Sequence, residues 1–209
     1  MHEWLPLFPL QVVLLPGSQL PLHIFEDRYK EMISDVRRER SEFGVVLASS
    51  EGIAGIGCTA SIQQVLREYP DGRLDILTVG RRRFDIGGID EERSYLRCTA
   101  EFFDDDDDIP APEELRLRAL EEFNRARKLA SESPLGAAES ANPRLSFAMA
   151  AGIQDLDLRQ ALLMARSEAD RLKRLVDFFP GYLKRQQRVE HIKLVAPRNG
   201  HGGTVNGVH

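Results

Sequence analysis

Apolar segments punctuated by prolines crowd the first 25 residues, and they constrain the fold more than any other feature. Leu5–Leu10 contains two prolines, the next run ends at Pro16-Gly17, and Leu20–Phe25 contains a further proline. Proline cannot donate a hydrogen bond to a strand ladder, so each segment is predicted to be a short strand or an edge segment that bends at its prolines. Short, bent strands of this kind are typical of the start of a small closed β-barrel.

The rest of the first half reads mostly as strands, with one helix. Apolar residues recur at the spacing of a single helix face within 27–40, which predicts a helix that packs across the barrel. The turn signal Tyr69–Gly72 separates the segments 60–68 and 73–79, which are predicted to pair as a hairpin. We expect about seven short strands in total.

The second half has a helical period. It predicts a helix over 113–130 and a short helix over 145–151, separated by a linker or mobile loop at 131–143. Asp157 and Ser167 have the spacing of N-caps and predict two further helix starts.

The end of the chain carries two more signals. Pro180-Gly181 is predicted to stop or kink the last helix, because proline removes a helical hydrogen bond. Residues 196–209 are rich in Gly, Asn and His and are predicted to form a disordered tail.

Many separate motifs, in the same order, carry a resemblance to a known family. They are Leu5–Leu10, Pro16-Gly17, Leu20–Glu26, Arg28-Tyr29, Met32, Phe43–Val46, Gly57-Cys58, Asp71–Arg73, Gly80 and Arg83-Phe84. The sequence resembles the amino-terminal, substrate-binding domain of Lon protease, which also occurs in cereblon and in free-standing bacterial proteins. The resemblance implies an α+β fold, with a PUA-like β-barrel at 1–108 and a helical subdomain at 109–195.

The composition of the sequence limits the kinds of partner that the protein is expected to have. Asp104–Asp108 account for the net charge of −5, since the other acidic residues equal the 28 basic residues in number. Without an overall positive field, nucleic acid is not expected as a partner. No signal peptide or membrane-length apolar stretch is recognisable. Cys58 and Cys98 lack metal spacing and are predicted to be buried thiols, which indicates the reducing cytoplasm.

No motif predicts catalysis, a cofactor or a metal site. Gly55–Ala60 matches a dinucleotide-loop pattern, but it lies some way beyond the strand at 45–48, so we interpret its glycines as relief at a barrel corner or bulge. Asp104–Asp108 lacks the interleaved glycine of a cation loop and is predicted to be a solvated connector. The basic triplet Arg81–Arg83 is predicted to be a solvated turn, with phosphate binding as the alternative.

The resemblance therefore implies a noncatalytic protein that binds exposed apolar or unfolded polypeptide segments in a groove between its two parts. The residues expected to contact the peptide are His23, Phe25, Arg28, Tyr29 and Arg83, with Phe25 the one most expected to be purely structural. Three alternatives stay open: an adaptor or regulator of a separate protease, a PUA-type RNA-binding module and, last, a nucleotide-dependent enzyme. The resemblance also implies a chain without the ATPase and protease domains of full-length Lon.

Overall fold

The computed structural model describes residues 4–106 and 109–195; the predicted tail at 196–209 lies outside the described residues. The first half contains β1 (Trp4–Leu10), β2 (Gln19–Ile24), α1 (Asp27–Glu39), β3 (Phe43–Ser49), β4 (Gly52–Glu68), β5 (Leu74–Asp90) and β6 (Arg97–Phe103). The second half contains α2 (Glu113–Leu129), α3 (Ala137–Ser140), α4 (Leu145–Ala150), α5 (Leu156–Met164) and α6 (Glu168–Val195). The α+β class is confirmed.

Five strands close into a ring in the order β5-β4-β3-β1-β6, because β6 pairs back onto the second half of β5. β2 pairs with the first half of β5 and forms an edge strand outside this ring. The predicted barrel is therefore confirmed. The described residues form six strands rather than about seven, since β4 and β5 are each 17 residues long and continue through bulges.

The prolines lie where a strand tolerates a missing donor. Pro21 is in the edge strand β2, and pairing with β5 continues on both sides of it, so its nitrogen faces away from β5. β1 changes partner along its length: Trp4–Pro6 pair with β6, whereas Leu7–Leu10 pair in parallel with β3. The proline-bent start of the chain thus builds two sides of the barrel, as predicted.

The helices pack on the barrel through one apolar cluster. Helix α1, predicted from its apolar spacing, buries Met32 and Ile33 completely, and Tyr29 packs its ring 4.1 Å from that of Phe8 on β1. The same cluster includes buried side chains from the barrel loops and from α4, α5 and α6. The division into 1–108 and 109–195 stays a prediction.

Two predicted features of the helical half are wrong in detail. Asp155 rather than Asp157 caps α5, accepting a hydrogen bond from the N–H of Leu158. Ser167 caps α6 as predicted, but Pro180 does not stop that helix, which continues to Val195. Pro180 is exposed, so its ring points to solvent while the buried face on either side of it keeps the helix packed.

The linker at 131–143 is not wholly irregular. It contains the short helix α3, and it is tethered to α2 by hydrogen bonds from Arg116 to the carbonyl of Ser140 and from the N–H of Leu135 to Asn124. This segment therefore forms part of the packed helical half and borders the groove described below.

Candidate functional site: a groove between barrel and helices

The loop between β1 and β2 is fixed to the barrel at a single glycine. The N–H of Gly17 donates to the carbonyl of Gly80 at 2.9 Å, and the N–H of Gly80 donates to the carbonyl of Ser18 at 2.9 Å. A Cβ atom at Gly80 would collide with the carbonyl oxygen of Leu15, so only glycine permits this close approach. The loop thereby becomes a fixed wall of the barrel that faces the helices.

Two adjoining clefts lie along the seam between this wall and the helical half. The first, of about 620 Å³, lies between the barrel segments 16–19 and 79–81 and the helical residues up to Ala151. The second, of about 460 Å³, lies between 11–20 and the segment from Ala151 to Arg159. Ser18, Gln19 and Ala151 line both clefts, so the two form one continuous groove.

The groove is lined about equally by polar and apolar surface. Its partly buried apolar side chains are those of Val12, Leu20, Val79, Ala148 and Leu156. Its polar edge includes Arg81, whose Nε donates to Ser61 at 2.8 Å, and Arg144, which pairs with Asp104 at 3.3 Å. Apolar walls suit the side chains of an extended polypeptide, and the polar groups suit its backbone.

The residues predicted to bind a peptide do not line this groove. His23 lies on the edge strand β2 and Phe25 directly after that strand, with ring centroids 5.8 Å apart, and Phe25 is 58% exposed. His23 Nδ1 lies 2.6 Å from the carboxylate of Asp75. Arg28 stacks 4.6 Å over the ring of Tyr29, which is buried. The structure therefore places four of the five residues in two neighbouring pairs outside the groove, where His23, Phe25 and Arg28 are exposed and Tyr29 is buried.

Arg83, the fifth residue, is only 2% exposed, and its guanidinium donates to the carboxylate of Asp105 at 2.6 Å. The prediction of a solvated turn at Arg81–Arg83 is wrong, because these residues continue strand β5 and one of them points into the seam. The prediction of a solvated connector at Asp104–Asp108 is also wrong at Asp105, which lies between two buried arginines.

The second of these arginines, Arg171 on α6, is fully buried and binds both oxygens of Asp105, at 2.7 and 2.6 Å. Arg171 also contacts Glu168 at 2.9 Å, and Glu168 accepts hydrogen bonds from both the N–H and the hydroxyl of Ser146. Ser146 is the second residue of α4, whose Phe147 lies under the Arg171 guanidinium at 4.5 Å and lines the groove. This buried cluster therefore sets the position of one groove wall.

The pKa values of Asp105 and Arg83 reflect the opposing effects of burial and charge pairing in this cluster. Burial alone would raise the pKa of Asp105, but the hydrogen bonds and charges of Arg171 and Arg83 outweigh it and hold that pKa below its usual range. Burial lowers the pKa of Arg83, although its bond to Asp105 acts in the opposite direction. Nothing in the sequence reveals this cluster, because Asp105 and Arg171 are far apart in the chain and the aspartate run resembles a solvated tract.

The nucleotide-loop pattern at Gly55–Ala60 lies within strand β4 and is followed by more strand, not by a helix. A dinucleotide site needs a tight turn from a strand into a helix, so this segment does not have that geometry. The interpretation as relief of crowding is confirmed at Gly57, where a Cβ atom would be 2.7 Å from the ring of Phe84, but not at Gly55, which has open space around it.

Within residues 4–106 and 109–195, no three His, Cys, Asp or Glu side chains are grouped to hold a metal ion. Both cysteines are buried and unpaired, as predicted. No helix in the described part of the chain is long and apolar enough to cross a membrane.

A closed β-barrel of PUA-like type, joined to a helical half with a groove at their seam, defines an α+β domain. The model of the ATP-dependent protease La (LON) substrate-binding domain matches residues 4–179, and the chain belongs to this family. Strands β1 to β6 and most of the helical half lie within the match.

Two related proteins agree with this family assignment. Over 104 residues, 46% of this chain, it is 31% identical to Lon protease of Flavobacterium johnsoniae, and over 90 residues, 40% of this chain, it is 32% identical to cereblon of Xenopus tropicalis. The matched segments span 13% and 20% of those two proteins.

Two solved structures share the fold. A Lon N-terminal domain protein from Xanthomonas campestris has a TM-score of 0.66 and 27% identity, covering 84% of this chain and 98% of that one. The N-terminal domain of the Lon protease of the Mycobacterium avium complex has a TM-score of 0.62 and covers 85% of this chain and 98% of that one. At 18% identity, the second match concerns the fold alone.

Proposed function

We propose that the protein binds exposed apolar or unfolded polypeptide segments, without catalysis, in the groove between barrel and helices. The observation that carries the proposal is the groove formed by two adjoining clefts, with both apolar and polar side chains, at the seam of a Lon substrate-binding domain. Its walls are held by hydrogen bonds at Gly80 and by the buried cluster around Asp105, so the site exists before a ligand arrives. A preformed site lowers the ordering cost of binding.

The number of apolar side chains that the groove can bury sets the expected affinity for a polypeptide. Burying apolar surface stabilises a complex by about 25 cal/mol per Å², and a typical apolar side chain contributes roughly 1.5–3 kcal/mol when fully buried. Three or four anchoring side chains, after the losses of association and ordering, correspond to roughly micromolar binding. We therefore expect weak, broad recognition.

The contact residues proposed for this function are Val79, Ala148 and Ala151, which line the groove. The exposed residues His23, Phe25 and Arg28, which were predicted as groove contacts, are now proposed as a second contact surface at the end of β2 and the start of α1, with the buried Tyr29 supporting Arg28. Arg83 leaves the proposed set, because a side chain that is 2% exposed and bonded to Asp105 does not reach a ligand.

The test is site-specific photo-crosslinking. A benzophenone amino acid at Val79 should crosslink to a reduced, alkylated model protein, whereas the same group at Leu117, an exposed residue on α2 outside the groove, should not. Ala151 and Ala130 provide a matched pair of variants, because both are exposed residues that follow a helix, at the ends of α4 and α2. Ala151→Arg should block the crosslink by filling the groove, and Ala130→Arg should not.

Equal crosslinking at positions 79 and 117, or an unchanged crosslink in Ala151→Arg, would remove the groove from the proposal. A peptide array without enrichment of apolar segments would remove polypeptide binding as the function.

Delivery of clients to a separate protease is the second proposal. Leu117 on α2 is 58% exposed and offers an apolar contact away from the groove. The RNA alternative is less favoured, because one of the three residues Arg81–Arg83 is buried and only two face solvent. The cytoplasm is the proposed compartment, supported by two unpaired thiols.

A further inference from the structure

Arg159, on α5, lines the second cleft and is partly buried. Its Nη1 donates to the backbone carbonyls of Ala151 at 3.2 Å and Ile153 at 3.1 Å, and its Nη2 donates to the carbonyl of Val13 at 2.7 Å. These bonds fix the planar guanidinium in one orientation across the seam. They use three of its five N–H groups, and the Nε–H is buried, which leaves one N–H on Nη2 for a further acceptor.

Arg159 differs from the other buried arginines, whose charges are balanced by a neighbouring carboxylate. Arg83 and Arg171 each contact Asp105 at 2.6 Å. No carboxylate of the described residues forms an ion pair with Arg159, and its Nε is buried without a hydrogen-bond acceptor in the described structure. Asp155 lies one turn earlier on α5, but its carboxylate caps that helix by accepting from a backbone N–H at 3.0 Å.

A guanidinium that is partly removed from water and bonded only to neutral carbonyls gains more from an anion than an exposed arginine does. Burial also lowers the pKa of Arg159, and no neighbouring charge offsets that effect. Carboxylate is an anionic group that accepts a charge-assisted hydrogen bond from arginine and that every polypeptide carries. Val12, Leu20 and Leu156 line the same cleft and provide apolar contacts beside the charge.

We propose that Arg159 makes the groove selective for apolar polypeptide segments that carry a carboxylate, either a free C-terminus or an Asp or Glu side chain. This inference rests on the proposed function of the groove. It predicts that clients are recognised by apolar side chains next to an acidic group, not by apolar character alone.

The test is fluorescence anisotropy with three peptides of the same apolar sequence, labelled at the N-terminus. One has a free C-terminus, one is amidated, and one is amidated with a single internal Asp. A charge-assisted hydrogen bond corresponds to roughly a 10- to 100-fold change in affinity, so one or both carboxylate peptides should bind the wild-type protein that much more tightly than the neutral peptide. The peptide that gains affinity identifies the source of the carboxylate.

The variants are Arg159→Gln, which removes the charge, Arg159→Lys, which retains it, and Arg125→Gln, which removes an exposed charge on α2 outside the groove. Only Arg159→Gln should abolish the preference, with Arg159→Lys retaining most of it and Arg125→Gln all of it. The wild-type comparison of peptides holds even if a variant unfolds.

Equal affinity of all three peptides for the wild-type protein would overturn the inference and leave groove binding intact. Binding of none of them would overturn the proposed function as well. A preference that survives in a folded Arg159→Gln variant would assign the selectivity to another residue and overturn the role of Arg159.

Discussion

Asp105→Asn is the substitution that tests most directly how the helical half is fixed to the barrel. The carboxylate of Asp105 is 19% exposed and neutralises two arginines that are almost completely buried, at distances of 2.6 Å. Asparagine retains the shape but removes the charge, which leaves two buried guanidinium groups with Glu168 as their remaining carboxylate.

Breaking a buried ion pair by removing one partner costs about 3–5 kcal/mol. The lower end applies here, because Asp105 is partly exposed and Glu168 still compensates Arg171. We therefore expect a loss of about 3 kcal/mol in the free energy of unfolding, which corresponds to roughly 6–12 °C in melting temperature for a domain of this size.

The assay is urea unfolding at pH 7, followed by circular dichroism. The matched control is Asp104→Asn, in the same acidic run, whose side chain is 82% exposed and contacts only Arg144, at 3.3 Å. Exposed ion pairs contribute less than about 1 kcal/mol, so this control should remain near the wild type. A stability of Asp105→Asn within about 1 kcal/mol of that control would refute the reasoning.

The pH dependence follows from the depressed pKa of Asp105 in the folded state. A carboxylate of this kind contributes its stability fully above its unfolded pKa, about 3.9, and the contribution is lost as the pH falls through the folded value. The difference between wild type and Asp105→Asn should therefore be constant from pH 7 to about pH 5 and should shrink below about pH 4.

Three further predictions concern single residues. Gly80→Ala should destabilise the protein by about 1–3 kcal/mol in urea unfolding, because the new methyl group meets the carbonyl of Leu15. Gly55→Ala should not destabilise it, because there is open space around Gly55. Equal effects of the two substitutions would contradict this prediction. Burial raises the pKa of the Cys58 thiol to about 12, so native Cys58 should resist maleimide at pH 8 and react after unfolding, and rapid native labelling would disprove it. Burial and a hydrogen bond to a carboxylate raise the pKa of Tyr95 to about 12. Its stabilising effect is therefore fully present below about pH 10 and is lost as the pH rises from about 10 to about 12. Ultraviolet titration against Tyr95→Phe should show ionisation near pH 12, and a transition near pH 10 would contradict this prediction.

Local signals predicted the elements of this fold well. The apolar spacing within 27–40 gave α1 to within one residue, and the turn at Tyr69–Gly72 joins β4 and β5 as expected. Those signals act over a few residues, so they are present in the sequence itself. Where a local rule competed with packing, the rule did not decide the outcome: Pro180 was predicted to stop or kink α6, and it does not stop the helix, whose buried face stays in contact with the core.

The candidate site was only partly predictable. A groove between barrel and helices was expected from the family resemblance, and two adjoining clefts lie there. Its lining residues were missed because Ser18, Val79 and Ala151 carry no recognisable motif and meet only in the folded chain. Conversely, Arg83 was expected to contact a peptide because it lies in a motif of the resembling family, and a motif does not show which side chains the packing of the two halves will cover.

The sequence by itself determined the barrel, the helices and the family, since each depends on apolar period, turn chemistry and the order of motifs along the chain. Only the tertiary structure decided which charges are buried and which are open to a ligand. Asp105 and Arg159 both look like ordinary surface charges in the sequence, yet one lies between two guanidinium groups and the other lacks a described carboxylate partner. The physical reason is that burial and charge pairing depend on residues far apart in the chain, whose approach is set by the packing of the two halves.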